Sequence, residues 1–306
     1  MQTSLALGEK SQAIIERDSE VMSGSIVPRY PFVIERGAGA RVWDVEGKEY
    51  IDLAAGIAVT STGHCHPNVV KAIQEQAEKF IHIAGTDYYY DVQVRLAEKL
   101  AQIAPFAGDA RVFLTNSGTE TIEGALKLAR WYTGRSQVIA FFGSFHGRSM
   151  GALSLTSSKI VQRRGFSPLI PGVHHVPYNN PYRCGHQRQE TECRAHCTCA
   201  SYIENMLFQR TVDPQDVAAI VLESIQGEGG YVVPDARFVQ DLRELCDRHG
   251  ILLIVDEVQS GIGRTGKWWA IEHFGVEPDI VCSAKGIASG MPLGAIIARK
   301  EIMSWE

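Results

Sequence analysis

The spacing of apolar positions changes along the chain and divides it into two parts. From about residue 66, segments with apolar residues at helical spacing alternate with short unbroken apolar runs. "HPNVVKAIQEQAEKFIHI" sets Val69, Ile73, Ala77 and Phe80 on one helical face, with Pro67 suited to the first turn. "DVQVRLAEKLAQIAP" repeats the spacing through Leu96, Leu100 and Ile103, and Pro105 closes it. Two more helices are predicted over "TETIEGALKLARWY" and "RFVQDLRELCDRHG", the second ended by Gly250. Strand-length runs are "RVFLT", "QVIAFF", "VAAIVLE", "ILLIVDE", "DIVCS" and "GAIIAR", beginning at residues 111, 137, 217, 251, 279 and 294. They lack the polar alternation of a half-exposed sheet, so both faces are covered, as in a mainly parallel sheet flanked by helices. The predicted class is an α/β sandwich with ligands at the carboxyl ends of its strands.

Before residue 62 the pattern differs. "ARVWDVEGKEYIDLAAG" predicts a small hairpin with Glu46 and Gly47 at its turn, packed apart from the main sheet. The expected organisation is an N-terminal segment, 1–62, and a large domain, 63–306. No internal repeat or low-complexity tract interrupts it.

Composition narrows the classes. With 306 residues, 45% of them hydrophobic and 21% charged, the chain can bury a sizeable core. A formal charge of −5, with lysines and arginines scattered, gives no basic field for nucleic acid. No window approaches the apolar length of a membrane span, and "MQTSLALGEKSQAIIERDSE" has early acids and no sustained apolar core, so a cytoplasmic protein is expected. Seven cysteines, an odd number, argue for reduced thiols over a secreted disulfide framework. Four of them, Cys184, Cys193, Cys197 and Cys199, cluster with His186 and His196, a density that can hold zinc. Their spacing supplies no C-x-x-C pair, so the segment is expected to be a surface excursion with unpaired thiols, and no metal is assigned.

One charge stands out. Lys285 is the single charged residue in "IVCSAKGIASGMPLGAIIA". Desolvation there lowers an amine's pKa and makes it a nucleophile able to form a Schiff base. The alternative is an exposed turn between two buried strands. Asp256 ends "ILLIVDE", 29 residues before Lys285, which leaves room for one crossover and lets both charges face one cavity. An acid at a strand end also serves as a helix cap or turn residue. Ser117, Gly118 and Thr119 lie between a strand and a helix, a corner suited to phosphate, or to plain N-capping. "FFGSFHGRS" brings Phe145, His146 and Arg148 to the same rim: a flat aromatic face, and a fork for a carboxylate, against core packing and a surface salt bridge. "GIGRTG", residues 261–266, matches G-x-G-x-x-G but neither follows a strand at once nor opens a helix, so it is set aside as a dinucleotide site. A phosphate cradle, an aromatic plate, an acid, a lysine and a carboxylate-binding arginine at one rim are what pyridoxal phosphate chemistry requires.

At "TNSGTE", "SFHGR", "ESIQGEGG", "IVDEVQSGIGRTG" and "SAKGIASGMPLGA" the sequence resembles the class III pyridoxal-phosphate aminotransferases, within them the 4-aminobutyrate and acetylornithine group, from about residue 30 to the end. The resemblance implies a fold-type I large domain and a homodimer. It makes Lys285 the imine-forming lysine and Asp256 the partner of the pyridine nitrogen. Gln259 approaches the ring hydroxyl, Val258 packs behind the ring, Phe145 stacks on its other face, and Ser117, Gly118 and Thr119 hold the phosphate. His146 is counted with the cofactor residues. Arg148 takes a substrate carboxylate, Ile57 in "AAGIAV" lines the substrate entrance, and Glu223 and Glu228 lie close to the cofactor and a substrate-gating arginine. A glycine-rich turn after a buried strand is the alternative for Glu228. Family members continue past position 306 into a small C-terminal domain, so the resemblance also implies a C-terminally truncated chain. The expected activity is amino transfer from an ω-amino acid, or a related amine or ornithine derivative, to a 2-oxo acid. The rivals are an amino acid racemase or epimerase on the same scaffold, since the "NPYRC" insert is similar to that of archaeal relatives resembling racemases, and an inactive partial chain.

Overall fold

A computed structural model describes residues 7–26, 30–183 and 200–304. Two compact units are present, Met1–Tyr88 and Tyr89–Glu306.

The first unit holds helix α1 (Glu9–Val21), an antiparallel sheet of β1 (Ile34–Ala38), β2 (Arg41–Asp44) and β3 (Glu49–Ile51), and helix α2 (Pro67–Ala77). The predicted hairpin is β2–β3. Gly47 takes φ 88° at its turn, a conformation that suits glycine, and Asp44 fixes the turn by accepting from the N–H groups of Glu46 and Lys48. Pro67 opens α2, as its missing N–H allows. Helix α1 and strand β1 were not marked by the apolar pattern. All of α1 is exposed apart from Ser11, so it carries no apolar stripe to detect.

The second unit contains α3 (Asp91–Gln102), β4 (Ala110–Thr115), α4 (Gly118–Thr133), β5 (Gln137–Phe141), α5 (Met150–Leu155), β6 (Val173–Val176), β7 (Val217–Glu223), α6 (Ala236–His249), β8 (Leu252–Asp256), β9 (Ile280–Ser283) and β10 (Gly294–Arg299). The seven strands run in the order β4-β10-β9-β8-β7-β5-β6. Pairing is parallel from β9 through β8, β7 and β5 to β6, while β10 is antiparallel to both its neighbours. The sheet is thus mainly parallel with one reversed strand, and six strands point their carboxyl ends at one edge.

Every residue of β7 and β8 is buried, which is why neither strand alternates in sequence. Successive side chains feed opposite cores: Ile220, Leu222, Leu253 and Val255 meet α6 through Phe238, Leu242 and Leu245, while Val221, Leu252 and Ile254 meet α4 through Ile122, Ala125 and Leu126. Each fully buried side chain of this size contributes about 1.5–3 kcal/mol. Gly250, at φ 61°, terminates α6 as predicted. Strand β6 leaves no apolar signature in the sequence; it is a half-buried edge strand whose centre, His174–His175, interrupts any apolar run.

Candidate active site

Strand register brings the first pieces together. Glu223 pairs across to Asp256, and Asp256 to Cys282, so the ends of β7, β8 and β9 lie side by side with Lys285 just beyond β9. Lys285 begins a single helical turn, Lys285–Ile287, at φ 47°, left-handed backbone that a non-glycine residue adopts at a cost of about 1–2 kcal/mol. It is half-buried. Burial holds its pKa below the ordinary lysine value, against the opposing charges of Asp256, Glu223 and Glu228. The amine therefore loses its proton more readily than a surface lysine does.

Asp256 is 5% exposed and both of its oxygens are engaged: Oδ1 accepts from the Val258 N–H at 3.0 Å, and Oδ2 takes the Nδ1–H of His146 at 2.7 Å. The His146 ring is wholly buried. Burial disfavours its charged form, but the Asp256 hydrogen bond and the charges of Asp256 and Glu223 outweigh that, and its pKa is raised. Its Nε2 is buried with no partner among the described residues. Glu223 completes the cluster. One oxygen accepts from the Phe145 N–H at 3.0 Å and the other from the Gly227 N–H at 3.2 Å, while burial, with Asp256 adding to it, pushes the carboxyl up to about 7. The three buried groups thus form an Asp256–His146 hydrogen-bonded pair beside a carboxyl whose pKa is raised to about 7.

The β4–α4 corner closes against this cluster. Ser117 caps α4 by accepting from the Glu120 N–H, and the N–H groups of Gly118 and Thr119, in the first helical turn, have no intrahelical acceptor. A Cβ on Gly118 would lie 2.8 Å from Val258 Cγ1 and 3.6 Å from Ala284 Cβ. Glycine therefore lets the helix end approach both the residue after the Asp256 strand and the residue before Lys285. The Thr119 hydroxyl is bonded to the Ser149 hydroxyl at 2.7 Å, and Ser149 donates in turn to Glu123, so Thr119 offers its N–H, more than its side chain, to an anion. Gln259 packs against Gly227, where a Cβ would collide with its amide.

Of the predicted residues, Ser117, Gly118, Thr119, Phe145, His146, Glu223, Asp256, Val258, Gln259 and Lys285 all lie at or just after carboxyl ends of strands on this edge. Arg148 is exposed and makes no ion pair among the described residues. Glu228 is exposed on the turn after β7 and pairs with Lys159. Ile57 belongs to the other unit, in the turn Ala55–Ala58, at φ 62° and exposed. The Cys184–Cys199 cluster lies outside the described residues, and among those described no group of acids, histidines and cysteines could hold a metal ion. "GIGRTG" forms consecutive turns and opens no helix of the Rossmann kind. No helix among the described residues is long and apolar enough to cross a membrane.

Two roles escaped the apolar pattern. One is the His146–Asp256 bond, which joins residues 110 apart in sequence. The other is Glu257, wholly buried, whose carboxylate accepts from the Ser224 and Ser260 hydroxyls and from the N–H groups of Ala270 and Ile271. The alternation rule carries its signal: next to a site-facing Asp256, Glu257 must face the other way, into the structure.

The family profile "Aminotransferase class-III" matches residues 23–305. The chain belongs to the class-III aminotransferases. It is 49% identical to an acetylornithine aminotransferase of Methanopyrus kandleri over 90% of this chain and 63% of that protein. It is 42% identical to an alanine/serine racemase of Pyrococcus horikoshii over 97% of this chain and 63% of that protein. The structure of taurine:2-oxoglutarate aminotransferase from Bifidobacterium kashiwanohense, in complex with PLP and glutamate, superposes with a TM-score of 0.85 at 33% identity, covering 95% of this chain and 66% of that one. The chain thus spans just under two thirds of the length of these proteins.

Proposed function

We propose that the protein is a pyridoxal-phosphate-dependent transaminase that moves an amino group from an ω-amino acid such as 4-aminobutyrate, or a related amine or ornithine derivative, to a 2-oxo acid. The observation that carries this is Lys285: a half-buried amine with a lowered pKa, in strained backbone, at the sheet edge that also holds the Asp256–His146 pair. The acetylornithine aminotransferase relative supports the reaction class. A cytoplasmic homodimer, and an N-terminal segment ahead of a cofactor-binding domain from residue 63, belong to the same reading.

The donor set fits the cofactor. The Gly118 and Thr119 N–H groups and Ser117 would hold the phosphate at the positive end of α4. Asp256, held in place by its hydrogen bond with the buried His146, would pair with the pyridine nitrogen and favour its protonated form. Phe145 and Val258 would cover the two faces of the ring, and Gln259 would reach its hydroxyl. Bound there, pyridoxal phosphate supplies an aldehyde for amines and an electron sink for the bond broken at the substrate carbon. Lys285 Nζ, which burial makes readier to lose its proton, would act as the nucleophile and, as a free amine, would be the general base for the proton on the substrate carbon. Arg148 would orient the substrate by its carboxylate, with Glu223 and Glu228 bordering the pocket.

Borohydride treatment of the yellow protein fixes the cofactor on Lys285, and Lys285→Ala abolishes both the fixed label and turnover; transamination by the variant would end the assignment. The racemase relative, at 42% identity, favours one second reading. Racemisation of a single enantiomer with no 2-oxo acid supplied selects it, and a strict requirement for an acceptor selects the transaminase.

A further inference from the structure

We propose that Ser149 is a positioning residue: it ties the loop that carries Arg148 to the first turns of α4, so that the substrate carboxylate is held at a set place relative to the cofactor phosphate. The inference rests on the transaminase reading, with Arg148 as the carboxylate site, and adds the residue that sets its place.

Ser149 stands at the N-cap of α5, where a serine ordinarily accepts from the N–H groups of its own helix. It makes no such bond. Glu123 of α4 caps α5 in its place, one oxygen accepting from the N–H groups of Gly151 and Ala152 at 2.8 and 3.1 Å. The Ser149 hydroxyl donates to that same oxygen at 2.5 Å, which commits its only proton. The 2.7 Å bond between the two hydroxyls therefore runs from Thr119 to Ser149. The Ser149 N–H returns to Thr119 Oγ1 at 3.3 Å. Thr119 and Glu123 are four residues apart on α4, so they share one face and grip the loop from successive turns.

Arg148 is held from its other side as well. Gly147, at φ 136°, packs so closely on α4 that a Cβ there would lie 2.7 Å from Thr119 Cβ and 3.0 Å from Ala152 Cβ. The backbone of Arg148 is thus fixed before and after it, while its side chain is exposed and makes no ion pair among the described residues. The guanidinium can meet a carboxylate, and the point from which it does so is set by the corner assigned to the phosphate. The link also acts on that corner. Because the Thr119 proton points to Ser149, the Thr119 hydroxyl does not donate to an anion beside it, and removing the Ser149 hydroxyl releases that donor.

Loss of the Ser149 hydroxyl therefore moves carboxylate and phosphate binding in opposite directions, which a loss of packing does not. Calorimetry gives dissociation constants for butyrate and its neutral analogue butyramide on the cofactor-loaded protein, and for inorganic phosphate on the cofactor-free protein. Ser149→Ala weakens butyrate about fivefold, the equivalent of one hydrogen bond, leaves butyramide unchanged and tightens phosphate. Ser149→Thr keeps wild-type values for all three. Thr119→Val breaks the same bond from α4, weakens butyrate by a similar factor, and is read alone should Ser149→Ala fail to fold. Unchanged butyrate binding, equal shifts for butyrate and butyramide, or phosphate binding in Ser149→Ala that is unchanged or weaker would overturn the proposal. Arg148→Ala and borohydride labelling of wild-type Lys285 keep the readings apart. Where Arg148→Ala weakens butyrate and Lys285 is labelled, failure of the Ser149 shifts removes this inference alone; the expected shifts without labelling remove the transaminase reading alone.

Discussion

Replacing Glu223 with glutamine tests the electrostatics of the site without relying on turnover. The carboxyl is 6% exposed and is pushed up to about 7, chiefly by burial and further by Asp256, against the charge of His146 and two N–H donors. Its folded value lies above its ordinary value of 4.5, so the native state holds the proton more tightly than the unfolded chain. The resulting stabilisation is complete below the unfolded value, is lost as pH rises through about 7, and stays lost above it. At about 1.4 kcal/mol per tenfold change in proton affinity, the full loss is roughly 3 kcal/mol. Glutamine is neutral throughout. It turns an amide N–H₂ toward one of the two backbone donors, which costs about 1–3 kcal/mol at every pH. Urea unfolding of the cofactor-free wild type and variant across about pH 4.5 to 8 isolates the titrating part, because His146 and Asp256 are present in both proteins. The stability of the wild type relative to the variant falls by roughly 3 kcal/mol over that range. A difference that is constant, or that grows with pH, refutes the reasoning.

Gly118→Ala places a methyl group 2.8 Å from Val258 Cγ1 and is expected to cost about 1–3 kcal/mol in urea unfolding and to weaken retention of cofactor phosphate. Wild-type stability would show that the corner yields freely. Arg148→Ala raises KM for carboxylate substrates well above its effect on simple amines, and an equal effect on both removes its proposed role. Glu257→Gln leaves at least one of four donors facing an amide N–H₂ and costs about 1–3 kcal/mol of stability, read from the denaturant midpoint, with little change in the absorbance of bound cofactor.

The sequence alone determined the layers. Unbroken apolar runs are what a strand covered on both faces must carry, and β7 and β8 have no exposed position at which a polar residue would be tolerated. Helix ends were equally local: Pro67 and Gly250 act through their own backbone geometry, within a residue of where they stand. The lone charge in an apolar run and the acid at a strand end marked Lys285 and Asp256, since each is costly to place there without a partner. Strand β6 and helix α1 left no such mark, one lying at a sheet edge and the other almost wholly exposed, where no pattern is enforced. Tertiary structure decided what each charge faces. The reversed strand β10, the bond between His146 and Asp256, the sharing of Glu223 by two loops and the Lys159–Glu228 ion pair all join positions far apart in the chain. A hydrogen bond between distant residues leaves no periodicity in sequence, because its geometry exists only once the sheet has set the strand ends side by side.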